Sequence, residues 1–353
     1  MAIDYALRGG AKLAIARLHS RRYELIAFDG GSLREHSYSR SVGVGVEVYT
    51  VGRGYSFTTS TRWDDVRKAV ERALALSKLS NVELEPLRSS GGRARYRVEC
   101  RVDPFTVDIE EKVGIVRSVN VESSRREGIA SAVSRLAFES DYRLVVTSEG
   151  FTGESHVVLS GFSHLAVARQ AGVMERVGDS RTFIGCYENI ESGDWLAFAS
   201  EVDSLALKAV QAKTPPPGSY RVIVDNELVG VVIHEALGHA SEGDSVTLGS
   251  SILAGMRGSR LAGEHVTVVD SGLVEGGYPV PFDDEGVVKR ETVAVDRGVL
   301  VGYLTSRVTA GKLGLEPTGN ARAESYDHQP IVRQTNLYIK PGDWRVEELF
   351  EGF

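Results

Sequence analysis

Cysteine is nearly missing from these 353 residues: only Cys100 and Cys186 occur. Two cysteines cannot build a disulfide framework, and the count suits a reducing cytosol. Each is expected to be a small buried apolar residue. Charge of one sign is not in excess either. The balance of 41 basic to 48 acidic side chains gives net −7, with no basic run and no basic stripe interleaved with aromatics. Nucleic acid is thereby excluded as the main partner. No apolar stretch approaches the roughly 20 residues of a membrane span. The N-terminus carries Asp4 and Arg8 and lacks the apolar core of a secretory signal. The expectation is a cytoplasmic protein that uses neither membrane nor nucleic acid.

Proline is sparse as well, yet three of the ten stand together in Thr214-Pro215-Pro216-Pro217-Gly218. Such a run cannot continue a helix and reads as a linker. The length admits two domains, divided here into 1–214 and 218–353. In the first, apolar residues at helical spacing (Leu7, Leu13, Ile15, Leu18) precede a hairpin of 23–28 and 33–40 about Asp29-Gly30-Gly31. Strands over 42–49 and 54–59 follow, then an amphipathic helix over 64–79. A helix over 109–124 leads into strand-like segments 130–140, 142–148 and 154–168, and a helix covers 199–213. Strands following one another in this way imply antiparallel pairing, not a βαβ series. Gly43-Val44-Gly45 lies inside a strand pattern and does not read as a phosphate loop. In the second domain, strands are expected at 220–224, 264–270 and 334–339, with a hairpin of 289–295 and 299–305. Short helices are expected at 306–313 and 346–350. The fold class is α+β: mainly antiparallel sheets with flanking helices, in two domains.

The chemistry concentrates in Val231-Val232-Ile233-His234-Glu235-Ala236-Leu237-Gly238-His239. Two imidazoles can ligate a metal, and a carboxylate can take a proton from metal-activated water. The spacing is HExxxH. On a regular helix, positions four apart lie about 40° apart and positions five apart about 140°. His234 and His239 can therefore meet only if the backbone is distorted between them, either by Gly238 or by a one-residue π-bulge. Asp225 or Asn226 is placed to cap this helix. Taken alone, the motif is compatible with a helix end that happens to carry two histidines. His19, His36, His156, His164 and His265 lie in strand-like or polar surroundings and read as structural.

Further blocks follow in order. The motif continues through Glu242-Gly243-Asp244, then Asp283-Asp284-Glu285-Gly286 and Gly298 to Leu304. After these come Thr318-Gly319-Asn320-Ala321-Arg322-Ala323-Glu324-Ser325-Tyr326 and Thr335-Asn336-Leu337-Tyr338 before Pro341-Gly342. Over about residues 218–342 the chain resembles the TldD/PmbA family, also called modulators of DNA gyrase, and within it the TldD type that carries HExxxH. The resemblance implies a zinc metallopeptidase acting on unfolded or flexible peptides. His234 and His239 would bind zinc, and Glu235 would be the general base. It also implies dimers, either of like subunits or with a motif-less homologue.

One departure stands out. The family's third zinc ligand is a cysteine in a C-terminal glycine-rich segment, and the sequence ends before such a segment. Cys186, Glu242 and Asp244 are the substitutes at hand. Glu242 and Asp244 can equally orient His239, touch substrate or form a solvated turn. Arg322, Tyr326 and His328 are candidate substrate contacts or oxyanion donors; the competing account makes their loop an ordinary polar turn. Exposed strand edges would let an extended peptide dock by strand addition. The alternative function is a non-catalytic or degenerate subunit that binds peptide or partner without a complete zinc site.

Overall fold

A computed structural model of the protein describes residues 1–79 and 83–351. Helix α1 (Ala2–Arg8) ends at Gly9-Gly10, and β1 (Leu13–Asp29) begins at once. Leu13 and Ile15, expected on a helix, are therefore strand residues buried in the sheet's core. β1 folds back on β2 (Ser32–Tyr49) through the expected Gly30-Gly31 turn, with Asp29 opposite Ser32. β2 runs on unbroken through 42–49, which the sequence pattern made a separate strand.

Next come β3 (Arg53–Thr58), α2 (Trp63–Ser77), β4 (Gly92–Arg97) and α3 (Ile109–Arg125). β5 (Ile129–Thr147) merges the two segments expected on either side of Asp141. β6 (Phe151–Gln170) and β7 (Val173–Ile184) follow, then α4 (Glu188–Glu191) and α5 (Trp195–Ala209). β4 and β7 were not anticipated. Both are mostly exposed and lack an alternating apolar face, the signal from which a strand is read.

These strands form one seven-stranded sheet, ordered β3-β2-β1-β5-β6, with β4 and β7 sharing the outer edge of β6. β4 pairs in parallel with 151–156, whereas β7 pairs antiparallel with 159–170. The C-terminal ends of β4 and β7 thus meet beside residues 157–159. Cys100 and Cys186 follow those two ends, with Cα atoms 5.4 Å apart, and are joined in a disulfide. That corrects the expectation of two separate buried thiols. The pairing of strands around β6, invisible in local sequence, is what brings them together.

Helices α3 and α5 cover a core of Ile26, Phe28, Leu136, Phe138 and Phe162, in which Phe162 stacks on Trp195 at 4.7 Å. α1 and α2 pack on Ala14, Val46 and Val48.

Residues 214–225 form no helix or strand, so Tyr220 to Val224, largely exposed, is not the expected strand. Beyond it lie α6 (Asn226–Ile233), α7 (Gly243–Thr247), β8 (Val268–Ser271), β9 (Thr292–Asp296), β10 (Val299–Leu300) and α8 (Arg307–Leu313). β11 (Ala321–Arg322), β12 (Ile331–Val332), β13 (Asn336–Ile339) and α9 (Val346–Leu349) complete the chain. β10-β9-β8-β13 make a four-stranded antiparallel sheet over a core of Ile233, Val246, Leu253, Val268, Val295, Leu300 and Tyr303. β11 and β12 form a separate two-stranded leaf. The architecture is α+β with mainly antiparallel sheets and flanking helices. No helix among the described residues is long and apolar enough to cross a membrane.

Close packing at one glycine is directly testable. A Cβ added at Gly54 in β3 would sit 1.9 Å from the Ala73 carbonyl oxygen of α2. A helix backbone cannot yield cheaply, so Gly54→Ala is expected to cost about 1–3 kcal/mol. Gly230→Ala meets nothing within 4 Å and should be neutral or stabilising by up to about 1 kcal/mol. Urea denaturation of both variants checks the contrast.

Candidate metal centre

The distortion that the histidine spacing demands is present. α6 starts at Asp225, whose carboxylate accepts from the Leu228 amide at 2.8 Å. Residues His234–Gly238 then widen into a turn of π-helix. One extra residue in that turn turns the five-residue spacing back onto one face. The two imidazole rings face each other edge to face at 4.7 Å. Ligand atoms of His234, Glu235 and His239 all lie within 4.8 Å of one another. Gly238 is confined from outside: a Cβ there would meet the Gln334 side chain at 2.1 Å. The Gln334 amide in turn donates to the His234 carbonyl at 3.4 Å.

The surroundings sort the remaining candidates. Glu242 is buried and sits 3.1 Å from His239 Nδ1, so it fixes the ring and leaves Nε2 to point elsewhere. Asp244 accepts from the Val332 amide at 2.6 Å and anchors β12. Tyr326 turns from the imidazoles: its ring packs on Gly43 and Phe57, and its carbonyl accepts from the Tyr55 hydroxyl. Arg322 and His328 line the same cavity of about 580 Å³ as His234 and His239. Cys186, bonded to Cys100, is no metal ligand. His19 pairs with Asp141, His36 with Glu24, His156 with Ser140 and His164 with Ser134 and Asp203. His265 lies beside the Trp344 ring.

Arg143, Arg333 and Gln334 also line the cavity, and sequence reasoning passed over all three. A strand arginine announces nothing locally. Only the neighbouring Asp141, which broke the apolar alternation, hinted that β5 carries charge inward there.

The polar blocks downstream divide: Asp283, Asp284, Glu285, Asn320 and Ala323 are buried, whereas Glu324, Asp327 and His328 are exposed. Asn320 is fully buried, donates to Asp270 at 2.7 Å and accepts from Lys289 at 2.9 Å. Asp270 and Lys289 pair at 2.8 Å. Asp283 accepts from the amides of Glu285, Val287 and Ala321. Asp284 accepts from Arg143 at 2.9 Å and from the Ala323 amide at 2.8 Å. Together these bonds hold the loop that carries Arg322 and His328.

An antiparallel α+β scaffold thus presents two histidines and a glutamate on one distorted helix turn, open to a cavity, as a candidate metal centre. Residues 217–353 match the C-terminal domain of the PmbA/TldA metallopeptidases, 14–77 their domain 1 and 102–211 their central domain. The chain belongs to that family. It is 35% identical over 343 residues to a metalloprotease of Methanocaldococcus jannaschii, covering 95% of this chain and 75% of that one. A zinc metalloprotease TldD homolog of Saccharolobus solfataricus is 36% identical over 197 residues, 55% of this chain and 43% of its own. The solved structure of TldE from Thermococcus kodakarensis superposes with a TM-score of 0.76 at 17% identity, covering 98% of this chain and 78% of that one.

Burial beneath the site has a pH signature. Burial first, and the nearby Glu47 charge second, push the Glu285 carboxyl up to about 7. A carboxyl with a raised folded-state pKa retains its proton while the unfolded chain loses it. Its contribution is therefore complete below about pH 4.5 and falls away as pH rises toward 7. Glu285→Gln should accordingly gain stability relative to the unsubstituted chain between pH 5 and 8, by on the order of 1–3 kcal/mol. Thermal melts across that range decide it; parallel curves for the two proteins would contradict the assignment.

Proposed function

We propose that this chain is a zinc metallopeptidase that hydrolyses peptide bonds in unfolded or flexible peptides. The convergence of His234, Glu235 and His239 in the π-turn, at the wall of a cavity, carries this reading. Two imidazole nitrogens, one already oriented by a buried glutamate, are donors suited to zinc, and the Glu235 carboxylate beside them is left free to act as base. His234 and His239 would hold the ion, which when bound would supply a Lewis acid and lower the pKa of water toward ~7.

Glu235 follows His234 directly, is exposed, and is the base that accepts the proton of the attacking water. As general acid it then returns that proton to the leaving amine. Glu242 fixes the tautomer of His239 by accepting from Nδ1–H, which leaves Nε2 unprotonated for the metal. The leaf of β11 and β12 reaches the cavity through Arg322 and Ile331. An extended peptide laid along it would be read more by backbone than by side chain. A structured domain could not enter in that form. Pairing with a second copy or a motif-less homologue in the cytoplasm belongs to the same proposal.

A second reading draws on one observation: among the described residues, the only acidic or sulfur group in one ligand cluster with both imidazoles is Glu235 itself. If Glu235 becomes a ligand, no base remains, and the chain acts as a binding subunit.

Two variants separate these readings. Glu235→Gln should retain about one zinc per chain while cleavage of an unstructured peptide falls about 10²–10⁴-fold. Unchanged cleavage refutes Glu235 as base, and zinc lost with the substitution favours the binding subunit. Glu242→Gln should weaken zinc affinity by about 10–100-fold without abolishing it, measured by competition with a chelating dye.

A further inference from the structure

Among the described residues, the cavity beside the imidazoles holds one guanidinium without an ion-pair partner. Its wall carries Arg143, Arg322 and Arg333. Arg143 is held by Asp141 at 3.0 Å and Asp284 at 2.9 Å, and Arg333 lies 3.6 Å from Glu242. Arg322 has no such partner: among the described residues no carboxylate forms an ion pair with it. It donates to the Gln334 carbonyl at 3.4 Å, and its guanidinium lies 5.8 Å from the centroid of the Tyr278 ring.

The acids nearest to it are already committed. Asp284 also lies 3.6 Å from Arg17, and Asp141 pairs with His19 at 2.9 Å. At the rim, Glu324 lies 3.9 Å from His328, whose other nitrogen meets Asp327 at 2.9 Å. Burial first, and the adjacent Arg143 charge second, push Arg322 below the usual guanidinium range. Gln334, on the same wall, has its side-chain oxygen buried without a hydrogen-bond partner. A half-desolvated guanidinium beside a second one, with no counter-ion of its own, gains most from an incoming anion. Its planar fork matches a carboxylate better than a point charge would.

We propose that Arg322 is the specificity-determining contact of this site and binds a carboxylate of the substrate. On the metallopeptidase reading, on which this rests, the substrates are flexible peptides with a carboxylate near the scissile bond. The carboxylate comes either from an acidic side chain or from a free C-terminus.

The test uses the whole 353-residue chain after metal chelation, so that no carboxylate is captured by zinc. Three hexapeptides carrying a neutral fluorophore are compared by anisotropy. One has a central Glu and an amidated end, one Gln and an amidated end, and one Gln and a free C-terminus. One of the two carboxylate peptides should bind about 10–100-fold tighter than the neutral amide, and which one does so names the source. Arg322→Gln should erase that gap, and Arg322→Lys should retain part of it.

Equal binding of all three peptides by the unsubstituted chain overturns the proposal, whether or not Arg322→Gln folds. So does a preference that survives Arg322→Gln. Failure of the peptidase reading shows separately, as absent zinc or as cleavage indifferent to Glu235→Gln, and leaves the carboxylate preference standing.

Discussion

The Asp284 carboxylate is the point on which the arrangement turns. It is buried, and burial alone would favour its protonated form, yet Arg143 and Arg17 hold its pKa below the ordinary range. Its partners come from β1, from β5 and from the Ala323 amide just beyond β11. One anion therefore ties the seven-stranded sheet to the loop that walls the cavity. Buried charge of this kind is poor evidence of net stability, but leaving one partner uncompensated typically costs about 3–5 kcal/mol. The register of sheet against loop is thereby strongly specified. Arg143 and Arg322 face one cavity because the same carboxylate positions both of their supports.

The two histidines obey a constraint of a different kind. A helix that continued regularly past Ile233 would splay them, and a helix that ended there would leave the second one free. The π-turn does neither, and it is braced on one side by Gln334 against Gly238 and on the other by Glu242 against His239. The first brace comes from a segment 100 positions away, the second from three residues further along the chain. The geometry of the trio thus rests on one tertiary contact and one local one.

How far the sequence foretold this can be judged from particular residues. The α2 stripe and the Gly30-Gly31 turn were legible, because period and turn chemistry are local signals. So was the need for distortion between His234 and His239, because it follows from helix arithmetic. The disulfide, the merging of 130–140 with 142–148 into β5, and the edge strands β4 and β7 were not. Each is decided by a partner distant in sequence: β6 brings Cys100 to Cys186, and β1 holds β5 straight past Asp141. Tyr220 to Val224 shows the converse, an apolar alternation that reads as a strand but has no described strand beside it. At the site, the family blocks pointed to Arg322 and His328, whereas Arg143 and Gln334 became visible only once the sheet and loop were folded together. Tyr326, named from the same block, serves the interface with β2 and β3 and not the cavity.

The long pairing of β1 with β5 bears on how the molecule is made. Their contacts join residues as far apart as Ile15 and Thr147, 132 positions along the chain. Local hairpins such as β1–β2 and β5–β6 can close early, because their loops are short. Docking the first hairpin onto the second must wait until the intervening helices and β4 have been accommodated, and loops of that span slow folding. Arg17 stands on one hairpin and Arg143 on the other. The cavity wall therefore cannot exist before this slowest event, so binding capacity should emerge late in refolding, well after most of the secondary structure.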